Sequence, residues 1–137
     1  MEIQFVAGFA AIAPNVPESL KLYVDAFGLP LEGESEYKST SKLGGVRHFG
    51  VWPLSQAAQS CFGTDQWPDD KIVPQATLEF EMSSPDAVEQ GVGELIDLGY
   101  VIIHGAKQEP WGQTIARLLS PEGLLIGLSY APWLHNG

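Results

Sequence analysis

The chain uses one pattern twice, and this repeat limits it to folds built from two similar halves. Each half opens with an apolar strand. A helix follows, opened by proline and closed by glycine, and the chain then returns to apolar residues. In the first half the strand is about Ile3–Ala13 and the helix runs from Pro17 to about Phe27, with Gly28 after it. Leu20, Tyr23, Val24 and Phe27 keep the i, i+3, i+4, i+7 spacing of one buried face. In the second half the strand is Ala76–Met82. Ser84 is placed as N-cap, Pro85 takes the first helical position and Asp86 suits the helix dipole. That helix is expected to turn Val88, Val92, Leu95 and Ile96 inward, and Gly99 closes it.

Three strand-like pieces follow each helix. In the first half they are about Leu31–Tyr37, Lys38–Leu43 and Val46–Trp52. In the second they are Val101–His104, Gln113–Leu119 and Leu124–Tyr130, the last two joined by the turn Ser120-Pro121-Glu122-Gly123. The polar stretch Pro53–Pro74 connects the halves and predicts a short helix near Ser55–Ser60. The expected architecture is one α+β domain. Module one covers about 1–54, the connection about 55–74 and module two about 75–132, followed by a short C-terminal tail.

Charge and cysteine content narrow the function classes. Seven basic residues against seventeen acidic ones give a formal net charge of −10. Nucleic acid and anionic membrane surfaces both call for a basic footprint, so neither is an expected partner. A cationic ligand suits this balance, and so does plain solubility. Cys61 is alone, which excludes an internal disulfide and a cysteine-held zinc. No apolar run reaches the roughly 20 residues of a membrane helix. The apolar start lacks a basic n-region and carries Glu2, so no signal peptide is expected and the cytoplasm is the expected compartment.

Glu109-Pro110-Trp111-Gly112, a strand, then Ser120-Pro121-Glu122-Gly123 and another strand resemble the closing hairpin of the glyoxalase/bleomycin-resistance/dioxygenase (vicinal oxygen chelate) superfamily. Ser120 stands where that family usually has aspartate. Val73-Pro74-Gln75-Ala76-Thr77-Leu78 resembles the entry to its second module. Ser19 to Tyr23 and Phe27-Gly28-Leu29 resemble the first. The resemblance implies two βαβββ modules whose paired mixed sheets form a cup with helices outside, and a homodimer.

It also implies where a divalent metal would be held. The family positions fall at about Gly8, Thr77 and Gly127, with a fourth near Val51 or Trp52, and none is a good ligand. No metal and no other cofactor is therefore expected, and no catalytic residue is assigned. His48, His104, Glu79 and Glu81 are the remaining candidates for chemistry. Glu79 and Glu81 share a strand face with Thr77, and that face must meet water, a cavity or a partner. His135 is expected in a frayed tail.

A cup without metal still binds through aromatic walls and a few polar groups. The expected ligand contacts are Trp52, Trp67, Trp111, Glu79, Thr77 and Phe49. Acidic groups among rings suit a cationic or aromatic compound, such as an antibiotic, through stacking and cation–π contact. Structural alternatives stand beside these: Trp111 as a hairpin anchor, Trp67 as a loop plug and Trp133 as cover for a dimer seam. The alternative function is a metal-dependent lyase, isomerase or dioxygenase of the same superfamily with atypical ligands.

Overall fold

The computed structural model describes residues 1–135. Its strands are β1 Phe5–Ala13, β2 Lys38–Thr40, β3 Phe49–Pro53, β4 Ala76–Glu81, β5 His104–Gln108, β6 Thr114–Leu119 and β7 Leu125–Tyr130. Its α-helices are α1 Val16–Leu20, α2 Leu54–Phe62 and α3 Pro85–Asp97. The strands form one mixed, open sheet in the order β2-β3-β1-β4-β7-β6-β5. The two opening strands, β1 and β4, pair antiparallel at its centre. Each has the later strand of its own half as a parallel neighbour, β3 beside β1 and β7 beside β4. The repeat in the sequence is thus a repeat in topology.

Local signals set the helix starts. The Asn15 side chain accepts from the Glu18 N–H at 3.2 Å, and the Ser84 hydroxyl accepts from the Ala87 N–H at 3.1 Å. Helix α1 runs on into a π-helical segment, Lys21–Ala26. A wider turn needs more residues per revolution than the α-helical spacing assumes. Phe27 is accordingly carried off the buried stripe and is 61% exposed, with its ring edge-on to Tyr23. Ile96, also expected inward, is exposed near the end of α3.

Several strand boundaries differ from expectation. Leu31–Tyr37 contributes a single bridge, Glu32 to Ser39, and β2 stops at Thr40. The third piece begins at Phe49 rather than Val46. In the second half the apolar Val101-Ile102-Ile103 is mostly outside the ladder. Val101 is 82% exposed, and β5 starts at His104 with the polar sequence HGAKQ. An edge strand needs little apolar character, because one side faces solvent and polar residues discourage further pairing.

The two faces of the sheet are covered differently. On the outer face α1 packs with Ala13, Val51 and Tyr23, and α3 packs with Met82, Ala116 and Leu128. On the inner face α2 presses Ala57, Ala58 and Cys61 against Ala10, Ile12, Trp52 and Leu125. Helix α2 fills one end of that face and leaves the rest open. Among the described residues no helix is long and apolar enough to cross a membrane.

Candidate functional site

The inner face of the sheet carries a cavity of about 480 Å³, within the range of small-molecule sites. Alternation along the strands decides what reaches it. Thr77 and Glu79 of β4 point in, while Leu78 points out. Trp52 of β3 lines the wall, as do Trp111 before β6 and Trp133 after β7. Among the polar groups of the lining, Tyr37, His48, Thr77, Glu79, Gln113 and Arg117 have hydrogen-bond partners that fix them.

Of the six expected ligand contacts, the structure brings four together. Trp52, Trp111, Thr77 and Glu79 line the cavity. Phe49 faces the outer side, stacked 6.1 Å from Phe9 and edge-on to Tyr23. Trp67 is buried behind α2 against Phe62, its indole N–H donating to the Ile72 carbonyl at 2.9 Å. Both rings lie away from the cavity lining because Phe49 has the opposite strand parity to Trp52 and Trp67 plugs the connecting loop.

A chain of hydrogen bonds organises the carboxylate end. The Trp111 indole donates to Gln113 Oε1 at 2.9 Å. Gln113 Nε2 then donates to Glu79 Oε1 at 3.0 Å and to the Ser129 hydroxyl at 2.8 Å. This fixes the Gln113 amide and leaves the second Glu79 oxygen for a ligand. The Tyr37 hydroxyl and His48 Nε2 share a hydrogen bond at 2.5 Å. Burial pushes the Tyr37 phenol well above its ordinary value, and the nearby Glu79 charge adds to this. Burial holds His48 below its ordinary value, with Glu79 acting in the opposite sense. Both groups are therefore neutral near pH 7.

The family's metal positions can be tested on the strand register. Counting back equally from the caps Asn15 and Ser84 matches Gly8 with Thr77, and Ala10 with Glu79. Ala10 pairs with Gly50, and Glu79 pairs with Gly127. The counterpart of Gly127 is thus Gly50, not Val51 or Trp52. Of the four positions only Thr77 has a side-chain oxygen, and its hydroxyl donates to the Leu125 carbonyl at 3.0 Å. Neighbouring side chains lie over the glycines. A Cβ on Gly50 would stand 2.7 Å from the Tyr37 ring, and one on Gly127 would stand 2.9 Å from Ile115 and 3.2 Å from Glu79. No group of three or more His, Cys, Asp or Glu converges among the described residues. The residues present do not fit a metal of the family type.

Two groups lie outside the expected set. Arg117, on β6, is 1% exposed and lines the cavity, with its guanidinium 5.4 Å from the Trp52 ring centre. Its Nη1 donates to Glu109 Oε1 at 2.9 Å and to His104 Nε2 at 3.1 Å. The available signal was a single arginine inside the apolar run TIARLL, at inward parity. The other is the segment after β7. His135, expected to fray, stacks 4.7 Å from Tyr130 and meets the buried Glu81 carboxylate at 2.7 Å. The Ala131 N–H donates to the same Glu81 oxygen at 2.6 Å. Glu81 thereby ties down the stretch that brings Trp133 and Leu134 to the cavity.

No protein-family model matches the chain, and no curated protein matches it. Solved structures do. A glyoxalase/bleomycin resistance protein/dioxygenase superfamily member from Vibrio splendidus 12B01 is 13% identical, over 95% of this chain and 100% of that one, with a TM-score of 0.59. The Mn(II)-bound glyoxalase from Novosphingobium aromaticivorans is 15% identical, over 91% of this chain and 37% of that one, with a TM-score of 0.56. A Streptomyces coelicolor methylmalonyl-CoA epimerase variant, in complex with 2-nitronate-propionyl-CoA, is 11% identical, over 96% of this chain and 99% of that one, with a TM-score of 0.54. At such identities the likeness is one of fold. The mixed seven-stranded sheet with its helices has the glyoxalase/bleomycin-resistance/dioxygenase fold.

Proposed function

We propose that this chain is a metal-free small-molecule-binding protein that sequesters a cationic or aromatic compound, such as an antibiotic. The observation that carries this reading is the floor of the cavity. Gly8, Gly50, Thr77 and Gly127 occupy the four positions that would supply metal ligands, and Tyr37, Ile115 and Glu79 fill the space above Gly50 and Gly127. What remains is an apolar recess walled by Trp52, Trp111 and Trp133, with the Glu79 carboxylate beside it. Rings near an ionised carboxylate favour a planar or cationic guest through stacking, cation–π attraction and charge. The same reading has the protein acting in the cytoplasm as a homodimer.

Titration of intrinsic tryptophan fluorescence with a bleomycin-type glycopeptide and with smaller cationic aromatic drugs tests the proposal. Quenching is expected, since three tryptophans line the site. Absence of any response across the series would count decisively against sequestration. Elemental analysis of the purified protein separates the metal-dependent alternative: one divalent ion per chain would replace this reading with an enzymatic one.

A further inference from the structure

Arg117 and Glu79 line the same cavity. Glu79 on β4 pairs with Gly127 on β7, and Gly127 pairs with Arg117 on β6. The two charged residues are therefore in register across three strands, about 9–10 Å apart at Cα. All three share the inner face, where the Ile115 side chain lies over Gly127. Among the described residues no ion pair joins Glu79 to Arg117, whose carboxylate partner is Glu109.

The guanidinium is only partly used. His104 Nδ1 donates to the Gly105 carbonyl at 2.8 Å, so its Nε2 is free to accept from Arg117 Nη1. With Glu109 as the second acceptor, both Nη1 hydrogens are taken. Nε, on the other edge, is buried without a partner. A buried donor on a charged group is costly to leave unmade. The Nε–Nη2 edge is also the geometry that takes a carboxylate through two parallel bonds. Glu109 is shared with Lys107 at 3.6 Å, so this cluster keeps one positive charge in excess. A doubly charged phosphate would be opposed by Glu79 and Glu109 together, whereas a single carboxylate matches the excess.

We infer that the cavity takes a zwitterionic aromatic ligand, its carboxylate on the free edge of Arg117 and its cationic group at Glu79. This rests on the small-molecule reading and narrows it from a cation to an amino-acid-like compound. The Trp52 ring, close to the Arg117 guanidinium, offers a stacking surface beside the carboxylate site.

Calorimetric titration with three probes that share a phenylethyl skeleton tests it: phenylalanine, phenethylamine and 3-phenylpropionate. The full chain is expected to bind phenylalanine at least tenfold more tightly than either singly charged probe. Because R117Q alone leaves Glu109 buried without its main partner, the double variant R117Q/E109Q is the companion. It should lose the preference for phenylalanine over phenethylamine. Equal binding of phenethylamine and phenylalanine by the unaltered protein would overturn the carboxylate site and leave the cationic reading intact. Equal binding of 3-phenylpropionate and phenylalanine would overturn the zwitterion by removing the cation at Glu79. If no probe binds while a drug still quenches the tryptophan emission, this inference falls and the small-molecule reading stands; if neither binds, both fall.

Discussion

Gly50 carries no side chain of its own, yet it decides where the Tyr37 ring lies. A methyl group there would meet the ring at 2.7 Å and the hydroxyl at 2.8 Å, so Gly50→Ala must displace Tyr37 from its bond with His48. Overpacking of this kind costs about 1–3 kcal/mol. Urea unfolding should show that loss, and an unchanged midpoint would mean the ring moves freely. His48 gives a second prediction at this scale. Its native pKa is lowered by burial, so in the window between that lowered value and about 6.5 the unfolded chain binds more protons than the folded one. Stability therefore rises with pH through the window and falls on acidification. His104, lowered chiefly by burial as well, acts in the same direction. The Tm of the unaltered protein should drop between pH 7.5 and 5.5, and His48→Gln should flatten that drop without abolishing it.

The elements differ in how plainly the sequence announced them. Helix α3 was legible from Ser84-Pro85-Asp86 to Gly99 because capping chemistry is local and acts through neighbouring residues. Ser84→Ala should lower stability by about 1 kcal/mol in a urea titration, through loss of the bond to Ala87 N–H. The β6–β7 hairpin was legible for a similar reason: its turn closes on itself, with the Leu124 N–H donating to the Ser120 hydroxyl at 3.0 Å. The stretch before β3 was not. Its pairing is short and its apolar residues follow no period, so nothing in the sequence marked Tyr37 as a cavity residue. Phe49 was misplaced by strand parity, since a shift of one residue exchanges the two faces. Val101–His104 has the apolar character of a strand, whereas β5 begins only at His104 and continues through polar residues.

For the molecule as a whole, the cavity depends on contacts far apart in sequence. The central β1–β4 pairing joins the two halves, and β7 is bound to both the hairpin and β4. Arg117, His104, Glu109 and Lys107, by contrast, meet through the local β5–β6 pairing, whose register shifts between His104 and Lys107 and follows no sequence period. Glu81 works at the longer scale: from β4 it holds Ala131 and His135, fifty or more residues later. His135→Ala should loosen that hold. Acrylamide quenching of the tryptophan emission is then expected to increase, because Trp133 loses the anchor of its segment. Unchanged quenching would mean that the Ala131 bond alone suffices.

The stretch from Pro132 to Leu134 is a short 3-10 turn that takes no part in the sheet, yet it supplies part of the cavity wall. None of its residues belongs to a strand pair. Selection for a different guest can therefore work on a few residues beyond the last strand, and the preference of such a protein can drift faster than its architecture.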